Sequence, residues 1–152
     1  ARRGWKHSGF RVAPAGLTRR SCRHRIDPAR DPLDGVITMP HFVVDCSREV
    51  LQVHSEDSII ARLHRVVNST GLFEESDIKV RINPFATYAV GGGREDFIHV
   101  FAWIMQGRSV EQRAALSRSV TRELSDLFPQ VPRIAINIAE FERATYFNRS
   151  MM

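Results

Sequence analysis

Along most of the chain, the spacing of apolar residues picks out one element at a time. His41-Phe42-Val43-Val44-Asp45-Cys46 is a short β-prone run, and Ser47 to His54 is a connector. Ser55 stands before Glu56 and Asp57, an N-cap followed by acids in the first helical turn. Ile59, Ile60, Leu63, Val66 and Val67 then share one helical face. Gly71 stands where a C′ glycine would end that helix. Ile78, Val80 and Ile82 alternate with Lys79 and Arg81, so apolar and cationic side chains take opposite faces of a strand. Pro84 is expected to limit this strand, and Gly91-Gly92-Gly93 reads as a hairpin turn. Phe97 to Met105 is a long, mostly apolar strand. Ser109 and Gln112 fit a capping box at the start of a second helix. Its buried stripe is Leu116, Val120, Leu124, Leu127 and Phe128, and Pro129 and Pro132 stop it. Ile134, Ile136 and Ile138 alternate as a last strand.

This order predicts an α/β (α+β) fold of two tandem βαβ units. They form a four-stranded mixed sheet with two helices on one face. Each crossover is expected to be right-handed, and a glycine turn between the halves to leave the two central strands antiparallel. The third strand is apolar on both sides, with Phe97, His99, Phe101 and Trp103 on one and Ile98 and Val100 on the other. One helix layer cannot cover both, so the open face is expected to pack against other subunits.

Composition adds exclusions. The chain has 152 residues, 43% hydrophobic and 26% charged, which fits a globular domain and not a disordered, collagenous or coiled-coil chain. No run approaches the roughly 18 apolar residues of a membrane-spanning helix. Two cysteines make neither a disulfide framework nor a zinc cluster, and Cys46 reads as a core residue in a reducing compartment.

The net charge of +5 suggests a nucleic-acid binder until it is located. Residues 1–38 hold nine basic and three acidic side chains, while residues 39–152 hold thirteen and fourteen. The patterned region is thus near neutral, which argues against a face built for phosphate backbones. Residues 1–38, broken by Pro14, Pro28 and Pro32, show no sustained period and little apolar surface to offset ordering. They read as a disordered basic extension. It is either an arm for nucleic acid or a membrane surface, a transit peptide, or sequence upstream of the true start or left by cloning. The last is favoured, because ordered patterning begins at Met39. No apolar h-region of a secretory signal is present in it.

Candidate chemistry is sparse by residue type alone. His41, His54, His64 and His99 lack metal-ligand spacing, and no serine sits in a nucleophile elbow. The three glycines do not open a helix as a phosphate loop would. Pro40 can be a strand-start proline, Arg108 a solvated charge, and Lys79 and Arg81 the wet side of a strand.

Met39-Pro40-His41-Phe42-Val43-Val44-Asp45-Cys46-Ser47 nevertheless resembles the start of the 5-carboxymethyl-2-hydroxymuconate isomerases, members of the tautomerase superfamily. Thr70-Gly71-Leu72-Phe73, the Ile78-to-Ile82 strand, and Gly107-Arg108-Ser109 followed by Glu111 and Arg113 extend the resemblance from residue 39 to about 147. It implies a cytoplasmic homotrimer, with no metal or organic cofactor and neither nucleic acid nor membrane as partner. It implies an isomerase that turns a dienol dicarboxylate or tricarboxylate into its conjugated keto isomer, as in homoprotocatechuate breakdown. Pro40 matches the catalytic N-terminal proline. Arg108 matches the arginine of the GRS motif. Of two strand arginines in the family, Arg81 keeps one and Lys79 replaces the other, retaining charge but not the planar fork. A proline within a chain is an amide without basicity, so Pro40 acts only if the bond before it is cleaved. A different reading is a catalytically silent trimer whose basic arm binds an anionic partner.

Overall fold

The computed structural model describes residues 39–152; the expectations for residues 1–38 fall outside the described residues. The first strand, β1, spans His41–Ser47 and passes through a 3-10 turn into helix α1, Glu56–Asn68. Strand β2 is Lys79–Phe85, β3 is Phe97–Met105, helix α2 is Val110–Leu127 and β4 is Arg133–Phe141. Among these residues no helix is long and apolar enough to cross a membrane.

Local chemistry sets the helix starts. The Ser55 hydroxyl accepts from the Ser58 N–H at 3.3 Å, filling one of the orphan donors of the first turn. Ser109 does the same for Gln112, whose side chain accepts from the Ser109 N–H at 2.8 Å, completing the expected capping box. Gly107, before that cap, takes φ +114°, a conformation that strains any side chain. Gly71 is left-handed as expected, but it follows the Ser69 cap by two residues, one later than a C′ glycine.

The sheet order is β2-β1-β3-β4, with β1 parallel to β2, β3 parallel to β4 and β1 antiparallel to β3. The central antiparallel pair is therefore β1 with β3. The glycine segment forms the expected hairpin turn, with Val90 and Gly93 exchanging both backbone hydrogen bonds around Gly91 and Gly92, each at positive φ. It does not pair β2 with β3, because β2 lies at the sheet edge with β1 between them. β2 ends at Phe85, one residue past Pro84; an edge strand tolerates the missing N–H.

Phe42, Val44 and Cys46 of β1, and Ile98, Val100, Ala102 and Ile104 of β3, pack with Ile59, Leu63 and Val67 of α1 and Leu116, Val120 and Leu124 of α2. These side chains form one core between sheet and helices, and truncating a leucine there costs about 2–5 kcal/mol. Cys46 is buried within it. Burial first, then Asp45 and Glu56, push its thiol up to about 11, so it acts as a small apolar residue.

Among the described residues, both α-helices lie on the core side and no α-helix covers the opposite face of the sheet. His99, Phe101 and Trp103 stack along β3 with ring centroids 4.4 and 5.8 Å apart. Trp103 is 40% exposed. Register places His41, Lys79 and Trp103 side by side on this face, with Val43, Arg81 and Phe101 in the next row.

Candidate active site

Strand directions decide which residues share one end of the sheet. The starts of β1 and β2 lie beside the ends of β3 and β4. Pro40, Lys79 and Arg81, together with Arg108 just after β3, are thereby brought to the same end from positions up to 68 residues apart. Pro40 is buried, and its carbonyl accepts from the Lys79 N–H at 3.0 Å.

The cations are held differently. The Lys79 ammonium lies 3.0 Å from the Met39 sulfur and 3.5 Å from the Asp77 carbonyl. Arg81 Nη1 donates towards His41 Nδ1 at 3.4 Å. Burial first, then the charges of Lys79 and Arg81, hold that imidazole below its ordinary value. It is a neutral acceptor between two cations.

Arg108 is more enclosed. Its Nη2 donates to the Leu72 carbonyl at 2.9 Å and its Nη1 to the Met105 carbonyl at 3.1 Å. Its guanidinium carbon sits 5.1 Å from the Phe73 ring centroid. Burial lowers its pKa, and Glu140 opposes that shift. A guanidinium has five N–H donors, so two carbonyl bonds leave three for an anion. Among the described residues, no carboxylate pairs with Lys79, Arg81 or Arg108. No group of three His, Cys, Asp or Glu side chains there is arranged to hold a metal ion.

Sequence reasoning does not single out the residues that organise this end. Arg113 Nη1 bonds Glu140 Oε2 at 2.6 Å, tying the first turn of α2 to β4. The Arg at this position in the Gly107-to-Arg113 motif is a local signal, but its partner 27 residues away is not. His41 stands out in the sequence only as a histidine without metal-ligand spacing. Tyr146, beyond β4, belongs to no pattern at all.

Two βαβ units sharing a four-stranded sheet, with both helices on one face, define a protein of the tautomerase fold. A family profile described as 5-carboxymethyl-2-hydroxymuconate isomerase matches residues 40–150, and the chain belongs to that family. The 5-carboxymethyl-2-hydroxymuconate Delta-isomerase of Escherichia coli is 30% identical over 77 residues, which are 49% of this chain and 61% of the relative's length. A crystal structure of a 5-carboxymethyl-2-hydroxymuconate isomerase from Deinococcus radiodurans R1 superposes with TM-score 0.65 at 21% identity, covering 74% of this chain and 90% of that one. A fused 4-OT, described as an asymmetric trimer, gives 0.61 at 13% identity, covering 72% and 92%. Both likenesses are of fold.

Proposed function

We propose that the protein is a cofactor-free tautomerase with Pro40, at a free N-terminus, as its base. It converts a dienol dicarboxylate or tricarboxylate of the 5-carboxymethyl-2-hydroxymuconate type to its conjugated keto isomer. It works as a homotrimer in the cytoplasm, in the breakdown of aromatic compounds. The observation that carries this reading is that buried Pro40 lies at the same end of the sheet as three cations that lack carboxylate partners among the described residues.

The chemistry follows from those surroundings. An ordinary α-amino group titrates near about 7.7–8.0. Burial and the neighbouring Lys79 ammonium disfavour the protonated form of a Pro40 secondary amine. The neutral amine takes the proton of the dienol hydroxyl, leaving a dienolate. The resulting ammonium returns one proton at carbon, so the double bonds shift without net oxidation. Arg81 and Arg108 hold carboxylates through spare N–H groups, and Lys79 supplies charge without a fork. The aromatic row on the uncovered sheet face supports assembly, since exposed apolar patches of this kind mark subunit contacts. The trimeric assembly of the fused 4-OT, a protein of like fold, agrees with that reading.

The test is turnover by a chain beginning at Pro40. Expected is conversion of 2-hydroxymuconate to its conjugated keto form, followed by ultraviolet absorbance. A rate equal to that in buffer alone contradicts the proposal.

A further inference from the structure

We propose that Arg113 is a positioning residue: by holding the Glu140 carboxylate it keeps that acid off Arg108, whose guanidinium stays open to a substrate carboxylate. The benefit to turnover rests on the proposed role of the Pro40 end; the capture of Glu140 does not.

The period of β4 puts an acid where an apolar residue is expected. Ile134, Ile136 and Ile138 pack against the core, and alternation carries Glu140 to the same, helix-bearing face of the sheet. The aromatic row lies on the other face. In register, Glu140 is opposite Ile104 and Phe141 is opposite Met105. The Gln106 N–H donates to the Phe141 carbonyl at 3.0 Å, and the Met105 carbonyl accepts from Arg108 at 3.1 Å. Glu140 therefore stands beside the turn that carries Arg108, and its charge reaches that guanidinium. Arg108 is partly desolvated and commits two of its five donors to carbonyls. An unheld Glu140 carboxylate would be drawn to the other three.

Arg113 prevents this. It lies in the first turn of α2, where its N–H donates to the Ser109 carbonyl at 3.1 Å. Its Nη1 bonds Glu140 Oε2 at 2.6 Å, while the other ion pairs among the described residues measure 2.9 to 3.2 Å. Its side chain is 29% exposed, against 48% to 65% for the arginines of those pairs, so water competes least for this bond. Its Nε is buried without a partner among the described residues, so Glu140 is the acceptor that its side chain bonds there. Glu111, the other acid of this turn, is taken up by its own N–H and the Ser109 hydroxyl, which hold its carboxyl below the ordinary range.

Calorimetric titration of the 152-residue chain with muconate, a dicarboxylate without an enol, reads the Arg108 site apart from catalysis. Arg108→Ala should weaken binding about tenfold or more, and Arg113→Met should do the same with Arg108 intact. Adding Glu140→Gln to Arg113→Met should restore affinity to within about threefold of the parent, because no carboxylate remains to capture Arg108. Arg133→Ala, which breaks the ion pair to Glu95, should not weaken binding. If Arg113→Met does not fold, Arg113→Gln takes its place. A double variant as weak as the single makes the pair a structural tie and overturns the proposal. So does full affinity in Arg113→Met, or no saturable binding by the parent. Turnover by a chain beginning at Pro40 is scored separately. The expected binding pattern without turnover keeps the role of Arg113 and refutes the Pro40 base. Turnover without that pattern does the reverse.

Discussion

The two ends of the sheet treat charge in opposite ways. At the end away from Pro40, cations and acids are matched. Arg94 bonds Glu49 at 3.2 Å and the Ala86 carbonyl at 2.9 Å, and it lies over the Tyr88 ring. Arg133 bonds Glu95 at 2.9 Å. The Tyr88 hydroxyl lies 3.1 Å from Asp96 and 3.3 Å from Glu49, and Asn83 donates to Asp45. At the Pro40 end, Arg113 pairs with Glu140, but Lys79, Arg81 and Arg108 rest on a sulfur, an imidazole and carbonyls. Those partners orient a cation without neutralising it. One end thus pins the connection between the halves, and the other keeps positive charge that no carboxylate among the described residues neutralises.

Substitutions at the two ends should separate sharply if this contrast is right. In a chain beginning at Pro40, Pro40→Ala should lower kcat by about a hundredfold, the lower range for a lost general base; steady-state rates on 2-hydroxymuconate check it. Next, Arg108→Ala should cost about tenfold or more in kcat/KM, because a charge-assisted contact worth roughly 1.5–3 kcal/mol is lost. Arg81→Ala should act in the same direction. Arg94→Ala, at the far end, should leave kcat/KM unchanged and lower stability in urea unfolding by less than about 1 kcal/mol, since its ion pair is exposed. Equal effects of Arg94→Ala and Arg81→Ala on kcat/KM would break the contrast.

The smallest effect concerns His41. Its pKa is lowered in the folded chain, so the unfolded chain binds the proton more readily. Stability from this group is full above the ordinary value of 6.5 and is lost as pH falls below it. His41→Asn should flatten that acid-side loss while changing little at higher pH. Urea unfolding at about pH 5 and about pH 7.5 measures it.

Much of the fold can be read from the chain because its signals are local. The Ser55 cap, the Ser109–Gln112 box and the stripe from Leu116 to Phe128 each lie within one element, and each is present. Strand adjacency is not local. The glycines make their turn, yet it does not join neighbouring strands, since β1 lies between β2 and β3. The site shows the same division. Pro40, Lys79, Arg81 and Arg108 can be named from short motifs. That Arg108 also clamps the Leu72 carbonyl, 36 residues earlier, depends on tertiary approach. So does the Arg113–Glu140 pair. Arg108→Lys therefore adds a control: it keeps charge but loses the fork, and should reduce thermal stability as well as turnover.

The central claim is that a free secondary amine at Pro40 carries the reaction. It is tested most directly by assaying the 152-residue chain beside a chain beginning at Pro40, with the same dienol at the same pH. In the longer chain the nitrogen is an amide and cannot accept a proton. The account predicts turnover by the Pro40-first chain and little or none by the longer one. Equal rates from the two would contradict it.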